Sequence, residues 1–175
     1  MLSDKRQKFR RVAFDAAFLG LALILSYVEV LFPVSMLIPL PGFKLGLANV
    51  VVLWLAVNRG MFDAGAVSLI RVLVVAMLFG SPISFWFSFG GAVCSLLVVA
   101  VLRKVKGLSY IGVSVLSASA HQVGQLLSAS VFFGIKTVFS YLPVMLVAAA
   151  IFGTICGCLL NIITPRLEQG RRDKQ

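Results

Sequence analysis

The chain has 175 residues, of which 60% are hydrophobic and only 13% charged, and its mean hydropathy is +1.03. A soluble domain of this size cannot hide that much apolar surface in one core, and a nucleic-acid module needs a soluble, charged surface. The net charge of +10, from 16 Lys+Arg against 6 Asp+Glu, therefore excludes a soluble enzyme, a disordered tail and a nucleic-acid-binding domain, and points to a polytopic membrane protein with its cations outside the bilayer.

A spanning helix takes about 20 apolar residues, and residues 12–165 have room for six. Residues 1–11 form a basic cytoplasmic segment; no small-residue cleavage site follows the first apolar run, so it does not read as a signal peptide. The first span is 12–32. Pro33, Pro39, Pro41 and Gly42 then break the helix and mark an external loop. The second span, 45–57, is short. Asn58, Arg59 and Gly60 turn the chain into a third span at 61–79, closed by Gly80, Ser81 and Pro82. The fourth span is 83–102, followed by a basic turn; the fifth is 110–133. The sixth is 138–163, ended by Thr164 and Pro165. Residues 166–175 form a basic cytoplasmic tail. The fold class is thus an all-α membrane bundle of six transmembrane helices.

Topology follows from the cations. With the N-terminus in the cytoplasm and six spans, the inner side receives Lys5, Arg6, Lys8, Arg10, Arg11, Arg59, Arg103, Lys104, Lys106, Arg166, Arg171, Arg172 and Lys174. The outer side holds only Lys44 and Lys136, and Arg71 is left inside a span. This matches the positive-inside rule with both termini inside. Cys94, Cys156 and Cys158 all fall within spans. Cys156 and Cys158 are two positions apart, hence on different sides of a helix, and read as small packing residues rather than metal ligands.

Ionisable groups at bilayer depth are costly and face the protein interior. With a helix rise of about 1.5 Å per residue, Glu29 lies about 25 Å up the first helix and Arg71 about 15 Å up the third. Asn49, His121 and Gln125 fall in the same outer half, and Lys44 sits at the mouth. This common depth argues for a polar cavity open to the outside. On the fifth helix Ser117, His121, Gln125 and Ser128 form one polar stripe. Ala120, Gly124 and Ser128 form an adjoining small-residue stripe, and Gly153 and Gly157 another, both suited to close packing. A bland reading stands beside each: Arg71 and Glu29 as a buried structural ion pair, His121 as a hydrogen bond to a neighbouring helix, Asn49 as a brace for the short span, Lys44 as an ordinary loop lysine.

No G-x-x-x-x-G-K-[ST] occurs, so ATP hydrolysis by a P-loop is not expected. One His and three scattered Cys make no metal cluster, and no metal or cofactor is expected. No two acidic residues are adjacent, whereas prenyl-diphosphate chemistry needs carboxylates to hold magnesium; the chain is not expected to be an enzyme.

The run Pro41-Gly42-Phe43-Lys44-Leu45-Gly46-Leu47-Ala48-Asn49 resembles the P-G-x-K-L-G-L-A-N signature of a bacterial membrane family labelled both Gx transporter and heptaprenyl diphosphate synthase component I. The stretches Ser68-Leu69-Ile70-Arg71-Val72-Leu73 and Ala120-His121-Gln122-Val123-Gly124-Gln125 match as well. The family in turn is similar to the substrate-binding S components of energy-coupling-factor (ECF) transporters. That resemblance implies a six-helix subunit of the bacterial cytoplasmic membrane, with a ligand site open to the outside and gated by the first loop. It implies a small-molecule ligand, a coupling subunit and two ATPase subunits as partners, with docking through small residues on the first helix, here Ala13 and Ala17. The ligand would be a vitamin, cofactor or isoprenoid or quinone precursor, anionic because Lys44 and Arg71 bind phosphate or carboxylate well. The other label implies a membrane accessory subunit of polyprenyl diphosphate synthesis.

Overall fold

The computed structural model describes residues 2–31, 46–79, 81–105 and 107–172. Its elements are α1 (Leu2–Leu31), α2 (Asn49–Asn58), α3 (Met61–Phe79), α4 (Pro82–Leu102), α5 (Tyr110–Phe133), α6 (Ile135–Phe139) and α7 (Leu142–Arg172), and no strand occurs among the described residues. Among the described residues four helices are long and apolar enough to cross a membrane: Lys5–Leu31, Met61–Phe79, Pro82–Leu102 and Leu142–Pro165. The fifth expected span, α5, has the length, at 24 residues, but its Ser, His and Gln side chains lower its hydropathy. The second, α2, has 10 residues and reaches only about 15 Å.

Local chemistry sets most boundaries. Ser81 caps α4, its hydroxyl accepting from the Ser84 N–H at 3.2 Å, with Pro82 in the first turn. Ser109 caps α5 by accepting from the Gly112 N–H at 3.1 Å. Gly134, at φ 81°, ends α5 and starts the short α6, so the last long helix begins at Leu142 rather than at 138. That helix also continues past Pro165 to Arg172, where a stop was expected. Pro165 removes one donor, the one owed to the Asn161 carbonyl, and both residues are on the exposed face.

Helix α5 packs between α4 and α7, and glycines let it come close. A Cβ on Gly90 would collide with the Ser128 hydroxyl, and one on Gly124 with the Gly90 carbonyl. On the other seam, a Cβ on Gly157 would lie 2.5 Å from the Ile111 Cα, and one on Gly153 2.8 Å from the Val115 Cα. The small-residue stripes are thus the two packing seams of one helix.

Helix α2 is buried along most of its length: Asn49 and every residue from Val51 to Ala56 are buried, as expected of a helix apolar all round. It touches α1, α3, α4, α5 and α7. Phe18 stacks on Trp54 at 4.7 Å between centroids and joins it to α1. Where α1 and α3 begin, charges close the bundle. Asp63 accepts from two of the Arg11 guanidinium nitrogens, Nη2 and, at 3.2 Å, Nε. Arg59 lies 3.6 Å from Asp15 and 3.8 Å from Asp63, with its guanidinium 4.8 Å above the Phe14 ring. Arg11, Asp15, Arg59 and Asp63 therefore form a self-neutralising clamp.

Candidate ligand-binding site

Arg71 stands in the middle of α3, on the face that carries the buried Val67, Ser68, Val72 and Val75. The three- and four-residue spacing turns that face inward, and Arg71 is only 5% exposed. Its Nε has no hydrogen-bond partner, and no ion pair joins its guanidinium to any described residue. Glu29 is close enough for its charge to act on Arg71 but does not contact it. Glu29 and Arg71, weighed from the sequence as a buried ion pair, line the same cavity and attract each other without an ion pair within 4 Å.

Glu29 has a different partner. Ala22, Ser26 and Glu29 are the buried positions of α1, spaced four and three apart on one face. The Glu29 Oε1 accepts the backbone N–H of Leu47. This bond draws the start of the α2 segment onto α1. The adjoining Gly46 has φ 84°, a conformation that favours glycine. A Cβ there would be 3.0 Å from the Asn49 Nδ2 and 3.8 Å from the His121 Cδ2. Both the dihedral and the space above Asn49 and His121 require glycine.

Helix α5 turns its polar stripe inward as its spacing predicts: Ser117, His121 and Gln125 are 2–3% exposed, and the neighbouring Gln122 1%. The Gln125 Nε2 lies 3.0 Å from the His121 Nε2. With the amide donating, that ring nitrogen is the acceptor, so Gln125 fixes the imidazole. Gly91 on α4 makes room for the pair, since a Cβ there would sit 2.8 Å from the His121 Cε1 and 2.9 Å from the Gln125 Cγ. One turn away, the Ser95 and Ser117 hydroxyls are hydrogen-bonded at 2.8 Å.

These side chains surround a small cavity of about 10 Å³, room for about one water, walled by Ser26, Glu29, Gly46, Arg71, Ser88 and His121 with two valines of α3. Five stretches far apart in sequence meet there. Of the residues singled out in the sequence, Glu29, Arg71 and His121 line it, Asn49 lies directly beyond Gly46, and Gln125 stands behind His121. Lys44 and the loop with Pro39, Pro41 and Gly42 lie outside the described residues. Ala13 and Ala17 are on an exposed face of α1, away from the cavity.

Ser26, Ser88, Gly46 and Gly91 were not anticipated. A signal for some existed: Ser84, Ser88, Gly91 and Ser95 recur at four, three and four residues on α4, and all are buried. Chemically, the cavity offers the Arg71 guanidinium, the Glu29 carboxylate already engaged by the Leu47 N–H, hydroxyl groups and an oriented imidazole. That set suits a small anionic group.

Among the described residues no group of His, Cys, Asp and Glu is arranged to hold a metal ion. No curated protein and no solved structure matches the chain. The family model described as heptaprenyl diphosphate synthase component I matches residues 18–163, a stretch that includes every cavity-lining residue. The chain therefore belongs to the heptaprenyl diphosphate synthase component I family.

Proposed function

We propose that the protein is the substrate-binding membrane subunit of an energy-coupling-factor type importer, for a small anionic vitamin, cofactor or isoprenoid or quinone precursor. In this reading six segments thread the bacterial cytoplasmic membrane with both termini inside, and α2 is a half-length span. The observation that carries it is Arg71, a buried cation at mid-helix that makes no ion pair within 4 Å among the described residues and faces a cavity. Burying a charge without a close ion pair is costly, and an anionic ligand would offset that cost. The α1 face with Ala13, Ala17 and Gly20 supports docking of a coupling subunit, since a Cβ on Gly20 would meet nothing within 4 Å. The protein binds and delivers, and is not itself a catalyst.

The test is purification in mild detergent, with co-purified small molecules and proteins identified by mass spectrometry. An anionic molecule retained by the wild type and lost from Arg71→Gln, with ATPase and coupling subunits in the pull-down, is the expected result. The family description favours a second reading, a membrane accessory subunit linked to heptaprenyl diphosphate synthesis. Recovery of prenyl synthase subunits, with neither ligand nor ATPases, would establish that reading and overturn the importer.

A further inference from the structure

The walls of the Arg71 cavity belong to helices α1, α3, α4 and α5, with the exception of Gly46. The α4 and α5 walls are locked to each other by the close seam at Gly90 and Gly124. With room for about one water, the cavity admits a carboxylate or phosphate group only if a wall moves. The wall outside any helix is Gly46, followed by the turn at Leu47 and Ala48. This turn is bonded forward into α2, the Asn49 N–H donating to the Gly46 carbonyl at 2.9 Å. It is tied across to α1 by the Leu47 N–H, which donates to the Glu29 Oε1.

Arg71 and Ser88 line this cavity, at 5% and 4% exposed. The Arg71 Nε and the Ser88 Oγ have no hydrogen-bond partner among the described residues, and both can donate to an anion. The Glu29 carboxylate lines the same small space, and its charge already attracts Arg71. An anion seated at Arg71 would stand beside that carboxylate. Two like charges so close in a protein interior repel strongly.

We propose that Glu29 is a built-in competitor for the anion site: an anion that takes Arg71 and Ser88 drives the Glu29 carboxylate aside, which releases the Leu47 N–H and the Gly46 wall. The inference rests on the anion-binding reading above and adds how occupancy of the site reaches the start of α2. By linkage, whatever removes the Glu29 charge strengthens anion binding, and the anion loosens the Leu47 turn.

Two measurements on the full chain in detergent test it, with inorganic phosphate as the probe. Glu29→Gln keeps an acceptor oxygen for Leu47 and loses the charge. In titration calorimetry it should bind phosphate about 10-fold tighter than the wild type. A residue that holds the ligand, or one that only holds the fold, would give equal or weaker binding. Adding Arg71→Gln to Glu29→Gln should abolish the gain. In hydrogen exchange followed by mass spectrometry, phosphate should speed exchange in wild-type peptides covering Leu47, where simple burial by a ligand would slow it. This readout needs no variant and decides the matter should Glu29→Gln not fold. Equal or weaker phosphate binding by a folded Glu29→Gln overturns the competitor and leaves the anion site intact. So does slowed or unchanged exchange at Leu47 in a wild type that binds phosphate. If neither the wild type nor Glu29→Gln binds phosphate, or if Arg71→Gln binds it as the wild type does, the anion-binding reading fails and this inference with it.

Discussion

Arg59 and Arg71 belong to the same α2–α3 stretch, yet their surroundings are opposite. Arg59 has Asp15 at 3.6 Å, Asp63 at 3.8 Å and the Phe14 ring beneath it. Arg71 is buried in the middle of the bundle and has no ion pair or hydrogen bond among the described residues. The charges that hold helices together are matched within the chain. Arg71, with no ion pair within 4 Å among the described residues, faces a cavity that Glu29 also lines. The two cations are thus told apart by their partners rather than by their depth.

The largest expected effect breaks this contrast at Arg71. Arg71→Met should weaken anion binding by about 100-fold or more, the equivalent of two charge-assisted hydrogen bonds, measured by titration calorimetry. Next comes the close seam behind the site. Gly124→Val drives a side chain into the Gly90 carbonyl and Cys94. It should destabilise the fold by about 1–3 kcal/mol, read from thermal unfolding by circular dichroism. Asp63→Ala strips the clamp of the acceptor shared by Arg11 and Arg59 and should lower stability by about 2 kcal/mol. Anion affinity should not change, which separates the two regions directly. The smallest effect is expected from Gln125→Ala. It should cost about 1 kcal/mol of stability and weaken binding only a few-fold, because the imidazole loses its orientation but not its place.

The parts of this arrangement that were readable from sequence are those set by local spacing. The α5 stripe of Ser117, His121 and Gln125 repeats every four residues, and a helix leaves it no choice but to share a face. The α3 and α5 limits follow from Gly60, Ser109 and Gly134, residues that start or stop a helix by their own chemistry. The parts that were not readable depend on register between distant helices. Glu29 bonds to the Leu47 N–H across the first loop, and nothing in either residue's neighbourhood announces it. Arg59 could be assigned from sequence only as a topological cation. Its pairing with Asp15 needs α1 and the α2–α3 turn to lie side by side. The α7 start was misplaced because Gly134 and the five-residue α6 interrupt a continuous apolar run. Pro165 misled in the opposite sense, since a proline on an exposed face need not end a helix.

The difference between the two arginines predicts opposite responses to the same kind of substitution. In most proteins, replacing a buried arginine with an apolar residue breaks a pair and destabilises the fold. Here Arg71→Met removes a buried charge that makes no ion pair within 4 Å among the described residues, so the gain from relieving its desolvation is set only against the longer-range attraction of Glu29. The decisive measurement is thermal unfolding of the wild type and Arg71→Met in detergent, each with and without inorganic phosphate. The account predicts that Arg71→Met unfolds at the same or a higher temperature without phosphate, and that phosphate raises the transition of the wild type alone. An Arg71→Met chain that unfolds at a clearly lower temperature, beside a wild type indifferent to phosphate, would contradict it and make Arg71 a structural residue.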